Sequence, residues 1–343
     1  MSVHKFKSLI TLPAFAFLAT PLMVSSIASA AEYELEIGAV ESPDGSNTRG
    51  WYAFEQYVEA RTDEIEINIR PSGQIGSTVE LLEDVKLGTH KMAQGDSSIT
   101  SAYAPMKAWF IPYLFNDMSE MKQFFESDTF QGINEQMAEE FGVRALAATP
   151  YGFYNIMNKK RAVTRIEDVA GLKLRTLPNS TATIETWDAI GASATPVSWS
   201  EIYTSIKTGV IDGVAHTMGI IQDQRYYEVA NHVTRDKSFG VANLYIVNED
   251  FYQGLPDDLQ KVLKNGAQLG ADVEYGTAVF RNNVEAVEVL QENNIDIVNL
   301  APEDRERFKQ AAQDVMIPWA KEQAGAENVE AVLSEVEAIQ SSN

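Results

Sequence analysis

The chain has 343 residues, of which 49 are acidic and 27 basic, so its formal net charge is −22, and it contains no cysteine. A surface this acidic disfavours nucleic acid and anionic membranes as partners, because both are bound through Lys and Arg. The lack of cysteine excludes disulfides, thiolate nucleophiles and cysteine-based metal sites. A chain of this length can fold on its apolar core alone, most readily as two lobes.

The first thirty residues predict a signal peptide. Basic residues at positions 4–7 precede an apolar run over 9–24, and Ala-Ser-Ala at 28–30 offers the small residues of a cleavage site, so we expect cleavage after Ala30. Two prolines break the run, and no other apolar stretch approaches the ~20 residues of a membrane span, which favours export over anchoring. Cleavage removes two lysines and no acid, which lowers the net charge to −24.

The next part of the chain alternates between strand and helix periodicity. Alternating apolar residues predict strands, residues three and four apart predict helices, and Ser77 and Gly88 suit the two ends of a helix. The predicted elements are a strand over 33–40, a helix over 48–62, a strand over 64–69 and a helix from Ser77 to Gly88. This order predicts an α/β fold with a mainly parallel sheet flanked by helices.

The same alternation continues, and a long helical region follows it. We expect helices over 121–125, 133–141, 181–190 and 200–207, and strands over 143–149, 154–157, 171–177, 193–197 and 210–214. Residues 257–293 lack proline and predict either one very long helix or two helices broken near Gly266 or Gly270. Helices over 302–319 and 328–339 close the chain.

Sequence motifs of enzymes are missing. GxSxG, HExxH, P-loop and GxGxxG patterns do not occur, and His90, His216 and His232 are too scattered to indicate a metal site by spacing. We therefore predict no catalytic residue, no metal and no cofactor. A triad built from distant residues stays an alternative, because triad geometry does not depend on chain order.

The most informative stretch runs from Gly171 to Gly213, and it contains Arg175 just before a Thr-Leu-Pro break. In a strand, Lys173 and Arg175 share one face, and alternation alone would favour a solvated arginine. A guanidinium can also hold a carboxylate through two parallel charge-assisted hydrogen bonds, which lysine cannot reproduce. Arg175 is thus a candidate anchor for a small acid.

Four linked motifs in this stretch, with two outside it, resemble one family. They are EDVAGLKLR at 167–175, GASATP at 191–196, SEIY at 200–203 and TGVIDG at 208–213, with IPYLF at 111–115 and NEDFY at 248–252. Together they resemble the DctP-type periplasmic solute-binding proteins of tripartite ATP-independent periplasmic (TRAP) transporters. The resemblance implies a two-lobed α/β receptor with a ligand cleft between the lobes, a long helix spanning both, and Arg175 as the group that binds the ligand carboxylate.

The resemblance also implies the domain organisation and the partners. We expect residues 31–153 to form mainly lobe I, 154–245 mainly lobe II, and 246–343 the long helix and C-terminal helices that pack across both. The receptor would be a periplasmic monomer that delivers a small organic acid to the membrane permease subunits. From sequence alone, a receptor of an ABC transporter, a sensory receptor and a periplasmic enzyme stay alternatives.

Four further residues are candidates for the ligand site, each with a structural alternative. Trp199 takes a position that is often aromatic in the family and could line the cleft or belong to the core. Asn179 could donate to the ligand carboxylate or cap the next helix. Glu41 and Asp96 follow probable strands, where open α/β sheets bind ligands, but either could be a capping or surface acid.

Two positions depart from the family pattern. His216 stands where the family commonly has an amide that contacts the carboxylate, and an imidazole there could make binding sensitive to pH. Tyr154 stands where many relatives carry a second arginine, which argues against a dicarboxylate. We therefore predict a monocarboxylate, such as a sugar, hydroxy or keto acid. A zwitterion of the ectoine or amino-acid type, held by Arg175 together with acidic and aromatic residues, is the alternative.

Overall fold

The computed structural model describes residues 31–177 and 180–342, so the predicted signal peptide and Asn179 lie outside the described residues. The strands are β1 (Tyr33–Gly38), β2 (Ile65–Arg70), β3 (Met92–Asp96), β4 (Val143–Phe153), β5 (Asn155–Asn158), β6 (Lys173–Thr176), β7 (Ser193–Pro196), β8 (Gly213–His216), β9 (His232–Arg235), β10 (Gly240–Asn248) and β11 (Asp296–Asn299). The helices are α1 (Ser46–Glu59), α2 (Thr78–Leu87), α3 (Ile99–Ala102), α4 (Met118–Glu126), α5 (Asp128–Phe141), α6 (Thr181–Ala189), α7 (Ile202–Thr208), α8 (Met218–Asp223), α9 (Glu249–Gly254), α10 (Asp257–Phe280), α11 (Ala286–Glu292), α12 (Pro302–Ala324) and α13 (Ala326–Ser342).

The strands form two sheets, one in each lobe. The first sheet has the order β2-β1-β3-β10-β4 and the second the order β11-β9-β5-β8-β6-β7. Most neighbours are parallel, but β10 runs antiparallel to β3 and β4, and β5 runs antiparallel to β8 and β9. Both sheets are therefore mixed: the predicted parallel pairs are present, and each sheet also contains one strand that runs against its neighbours. The chain passes from the first sheet to the second through β5, and it returns from the second sheet to the first through β10.

Two extended segments cross side by side between the lobes. Only Tyr154 separates β4 from β5, and residues 236–239 lead back from β9 to β10. The backbone N–H of Tyr154 donates to the Phe239 carbonyl at 2.9 Å, and the N–H of Ser238 donates to the Tyr154 carbonyl at 3.0 Å. The strand β10 belongs to the first sheet over its whole length, although the predicted lobe boundary after residue 245 falls inside it. The division of the remaining residues between lobes stays a prediction.

The long helix is the third connection between the lobes. Its first part, α10, packs on α1 and β4 of the first lobe, and α11 packs on α8 of the second. The helix is not broken at Gly266 or Gly270. A Cβ on Gly270 would lie 2.7 Å from the Gly50 carbonyl oxygen, so this glycine permits close approach of α1 and α10. The irregularity lies further on, in a π-helical turn over Arg281–Glu285 that joins α10 to α11.

The C-terminal helix α12 also contacts both lobes. Phe308 and Ala312 pack into an apolar cluster of the second lobe, whereas Ala320 and Ala324 belong to the main cluster of the first. The helix runs through Pro318 to Ala324, further than the predicted end at 319. In residues 31–177 and 180–342, no helix combines the length and the apolar character needed to cross a membrane.

Candidate functional site

Arg175 lies on β6, between β8 and β7 in the second sheet. Lys173 on the same strand face is exposed, but Arg175 is only 6% exposed. Its Nε donates to the Val197 carbonyl at 3.0 Å, and no carboxylate within the described residues forms an ion pair with it. Burial lowers the pKa of Arg175 from its ordinary value, because the charged form loses hydration without gaining an anion.

Three of the other predicted residues gather beside Arg175. The ring of His216, at the end of β8, lies 5.2 Å from the ring of Tyr154 and 5.3 Å from that of Trp199, measured between centroids. Trp199 begins a short 3₁₀ turn after β7 and is 44% exposed, so its indole lies at the surface of the group rather than in the core. We call Arg175, Tyr154, Trp199 and His216 the Arg175 cluster.

His216 is neutral at neutral pH. Burial, with the nearby charge of Arg175, lowers the pKa of His216 to about 3. The backbone N–H of Thr217 donates to Nδ1 of His216 at 2.9 Å, so the neutral ring carries its proton on Nε2. His216 therefore offers one N–H donor, as the family's amide would. This lowered pKa argues against the expectation that titration of His216 makes binding pH-sensitive.

Asp96 and Tyr226 lie near the Arg175 cluster. Burial raises the pKa of Tyr154 to about 12, with Arg175 opposing the shift and Asp96 adding to it, which places Asp96 of β3 within electrostatic range of Tyr154. Asp96 also accepts hydrogen bonds from the Ser98 N–H at 2.8 Å and the Thr78 hydroxyl at 2.9 Å. It therefore also stabilises the local backbone, in line with the alternative of a capping acid. Tyr226, 2% exposed, acts electrostatically on Arg175. Tyr226 was not predicted, because it carries no local sequence signal.

Glu41 belongs to a different group. Its carboxylate accepts the backbone N–H of Asn47 at 3.1 Å and the hydroxyl of Tyr151, and burial raises its pKa. Glu274 of the long helix, fully buried beside it, accepts hydrogen bonds from Asn47 (2.9 Å), Asn243 (2.6 Å) and Tyr245 (3.2 Å). Burial and the charge of Glu41 raise the pKa of Glu274 to about 8. The described contacts of Glu41 include no member of the Arg175 cluster, so the structure does not bring it together with the other predicted residues.

A cavity of about 240 Å³ lies at the crossing between the lobes, but none of the predicted site residues that the structure describes lines it. Among the residues that the structure describes, no group of three or more His, Asp or Glu side chains is placed to hold a metal ion.

The fold is that of a two-lobed solute-binding protein, and the Arg175 cluster gives its second sheet a buried cation. The model of the family "Bacterial extracellular solute-binding protein, family 7" (DctP) matches residues 37–322, and the chain belongs to this family. This confirms the resemblance found in the motifs. Members of the family are binding proteins of transporters and not enzymes, which also confirms the prediction of a non-enzymatic function.

The chain is similar over most of its length to characterised relatives. It is 27% identical over 299 residues to the ectoine-binding periplasmic protein TeaA of Halomonas elongata, covering 84% of this chain and 86% of that protein. It is 28% identical over 256 residues to the sialic acid-binding periplasmic protein SiaP of Vibrio cholerae, covering 74% and 78%. A TRAP periplasmic solute-binding protein from Ochrobactrum anthropi superimposes with a TM-score of 0.86 at 23% identity, covering 92% and 98%. The last likeness confirms the predicted two-lobed α/β fold.

Proposed function

We propose that this TRAP-family receptor binds a small monocarboxylate, such as a sugar, hydroxy or keto acid, through Arg175. The observation that carries the proposal is the buried guanidinium of Arg175, which has one carbonyl acceptor and no carboxylate partner within the described residues. Buried charges in proteins are normally paired, so this cation is best explained by an anion that arrives with the ligand.

The remaining donors of Arg175 suit a carboxylate. A guanidinium has five N–H groups, and the Val197 carbonyl uses the one on Nε. Two parallel N–H groups of the fork can therefore donate to the two oxygens of one carboxylate in the bidentate manner. Tyr154 occupies the position where relatives carry a second arginine, so the cluster offers one cation, which fits a single carboxylate better than two.

The neighbours of Arg175 suit a ligand with hydroxyl groups. His216 offers its Nε2–H as a donor, and the hydroxyl of Tyr154 stays protonated because its pKa is about 12. Trp199, with its exposed indole, can cover an apolar or ring face of the ligand. Relatives named for sialic acid and for 2,3-diketo-L-gulonate support a sugar-acid ligand for this chain.

A zwitterion of the ectoine or amino-acid type is the second candidate. Trp199 could accept the positive end of such a solute on its face, and the carboxylate of Asp96 lies within electrostatic range of the cluster. Two relatives named as ectoine-binding proteins support this alternative. Glu41 stays a proposed ligand residue, although its described contacts lie outside the Arg175 cluster, and Asn179, which lies outside the described residues, stays a prediction.

Transport follows from movement of the lobes in this proposal. The ligand would contact Arg175 of the second sheet and Tyr154 in the crossing segment, with Asp96 of the first sheet near it. Binding would stabilise the closed arrangement of the lobes, and the membrane permease would recognise that arrangement. The chain would act in the periplasm as a monomer, after removal of its signal peptide at Ala30.

A thermal-shift screen of sugar acids, hydroxy acids, keto acids, amino acids and ectoine tests the proposal. We expect one carboxylate to stabilise the wild type and Arg49→Ala, a control that removes an exposed arginine, but to stabilise Arg175→Ala little. Stabilisation by ectoine or an amino acid alone would select the zwitterion instead. An equal shift in all three proteins would refute the role of Arg175.

A further inference from the structure

The cavity between the lobes lies on the opposite side of the crossing strand from the Arg175 cluster. Phe153 and Asn155 both line it, and in an extended chain the residue between them, Tyr154, points the other way. Asp117 at the start of α4 and Asn282 in the long helix form other parts of the wall. The walls thus come from both lobes and from two connections between them. We call this space the hinge cavity.

Two cations line the hinge cavity, and a third lies near them. Arg235 donates to the Asn283 side-chain oxygen at 2.7 Å, and Lys237 donates to the Asn116 carbonyl at 2.7 Å. Arg305 donates to the Asn116 side-chain oxygen at 3.1 Å. All three are bound by neutral oxygens, and none has a carboxylate within 4.0 Å in the part of the chain that the structure describes. This is unexpected in a protein with 49 acidic side chains, which could readily supply such partners.

The cations also destabilise one another. Burial lowers the pKa of Arg235 and of Lys237, and the charges of Arg235 and Arg305 lower the pKa of Lys237 further, against partial opposing effects of Asp117 and Glu120. Lys237 has a φ of 53°, a left-handed conformation that is uncommon outside glycine. Strained backbone conformations of this kind cluster at active sites and ligand-binding sites.

We propose that the hinge cavity binds a small inorganic oxyanion, of the size and charge of phosphate, between Arg235 and Lys237. The oxyanion accepts hydrogen bonds from the guanidinium and ammonium groups and neutralises their repulsion. Asp117 lines the same cavity, but its Oδ1 already accepts the backbone N–H groups of Ser119 and Glu120, at 2.8 and 3.0 Å. The site is separate from the Arg175 cluster and does not depend on which solute that cluster binds.

Calorimetric titration of the ligand-free protein with sodium phosphate, at constant ionic strength, tests the proposal. We expect the wild type to bind one phosphate, and Arg235→Gln and Lys237→Gln to bind it at least about tenfold more weakly, the loss of one charge-assisted hydrogen bond. Lys264→Gln, which removes an exposed lysine of α10, is the matched control and should bind as the wild type does.

The variant Arg175→Ala distinguishes phosphate binding in the hinge cavity from binding at the Arg175 cluster. Phosphate binding should be unchanged in that variant, whatever happens to binding of organic acids. Melting without phosphate shows whether the hinge variants fold, and Lys237→Gln should melt no lower than Lys264→Gln because it removes a repelled charge. The proposal is overturned if the wild type shows no saturable binding, or if Arg175→Ala abolishes binding while Arg235→Gln and Lys237→Gln retain it.

Discussion

Replacement of Arg175 by methionine separates ligand binding from folding. Methionine keeps an unbranched side chain in the same place but removes the charge and all five N–H donors. If the buried guanidinium pairs with the carboxylate of the ligand, the variant should lose affinity for the ligand. Its stability in the absence of ligand should not fall. Arg175→Lys keeps the charge and loses the planar fork, so it isolates the contribution of bidentate geometry.

The size of the effect follows from the burial of Arg175. Removal of one partner of a desolvated charge pair costs about 2–5 kcal/mol, or roughly thirtyfold to several thousandfold in affinity. Arg175→Lys should cost about 1.5–3 kcal/mol, the contribution of one hydrogen bond to a charged group. Without ligand, Arg175→Met loses the charge-assisted bond to the Val197 carbonyl, worth about 1.5–3 kcal/mol, but this loss is offset by removal of an unpaired buried charge. Its melting temperature should equal or exceed that of the wild type.

Thermal denaturation with and without the ligand measures both quantities. A hundredfold excess of ligand over Kd adds about 2.7 kcal/mol of stability, which at about 2 °C per kcal/mol raises the melting temperature by roughly 5 °C. At the same concentration, a thirtyfold loss of affinity leaves less than about 1 kcal/mol. Isothermal titration calorimetry then gives the affinities directly.

Two outcomes would refute this reasoning. Equal ligand-induced shifts in the wild type and Arg175→Met would show that the carboxylate is bound elsewhere. A ligand-free Arg175→Met protein that melts several degrees lower would show that Arg175 already has a structural partner.

Three further predictions concern other residues of the site and its surroundings. Because the pKa of His216 is about 3, its charge does not change near neutrality, and ligand affinity should stay within about twofold from pH 6 to 8.5 by calorimetry; a steep change across pH 6–7 would contradict the neutral ring. Glu274 has its pKa raised to about 8, so the folded protein holds a proton that the unfolded chain releases above about pH 4.5. The stability from this proton is complete at low pH and is lost as the pH rises through 8, so urea unfolding should show a smaller loss of stability between pH 5 and 8 in Glu274→Gln than in the wild type, whereas equal losses would place the proton elsewhere. Trp199→Ala should weaken ligand binding with little change in melting temperature, whereas Trp187→Ala, which truncates a side chain only 1% exposed, should cost about 3–5 kcal/mol of stability; the opposite pattern would make Trp199 a core residue.

Local sequence signals predicted the individual elements well where the responsible contacts are close in the chain. Ser77 caps α2 as predicted, in a capping box with Glu80, and Gly88 ends that helix in the left-handed conformation. The strands β9, β10 and β11 were not predicted. In β10 the residues after Gly240 are buried on both faces, so its sequence lacks the alternation that identifies a half-buried strand.

The sequence by itself determined the α/β class, the family and the position of Arg175, because these depend on periodicity and on motifs of a few consecutive residues. Only the tertiary structure decided that β5 and β10 run against their neighbours, that Glu41 joins Glu274 rather than Arg175, and that His216 is neutral. Strand direction, side-chain neighbours and pKa values depend on burial and on charges from distant parts of the chain. Arg235 and Lys237 are neighbours in sequence, but only the same long-range packing places them in one cavity with Asp117 and Asn282.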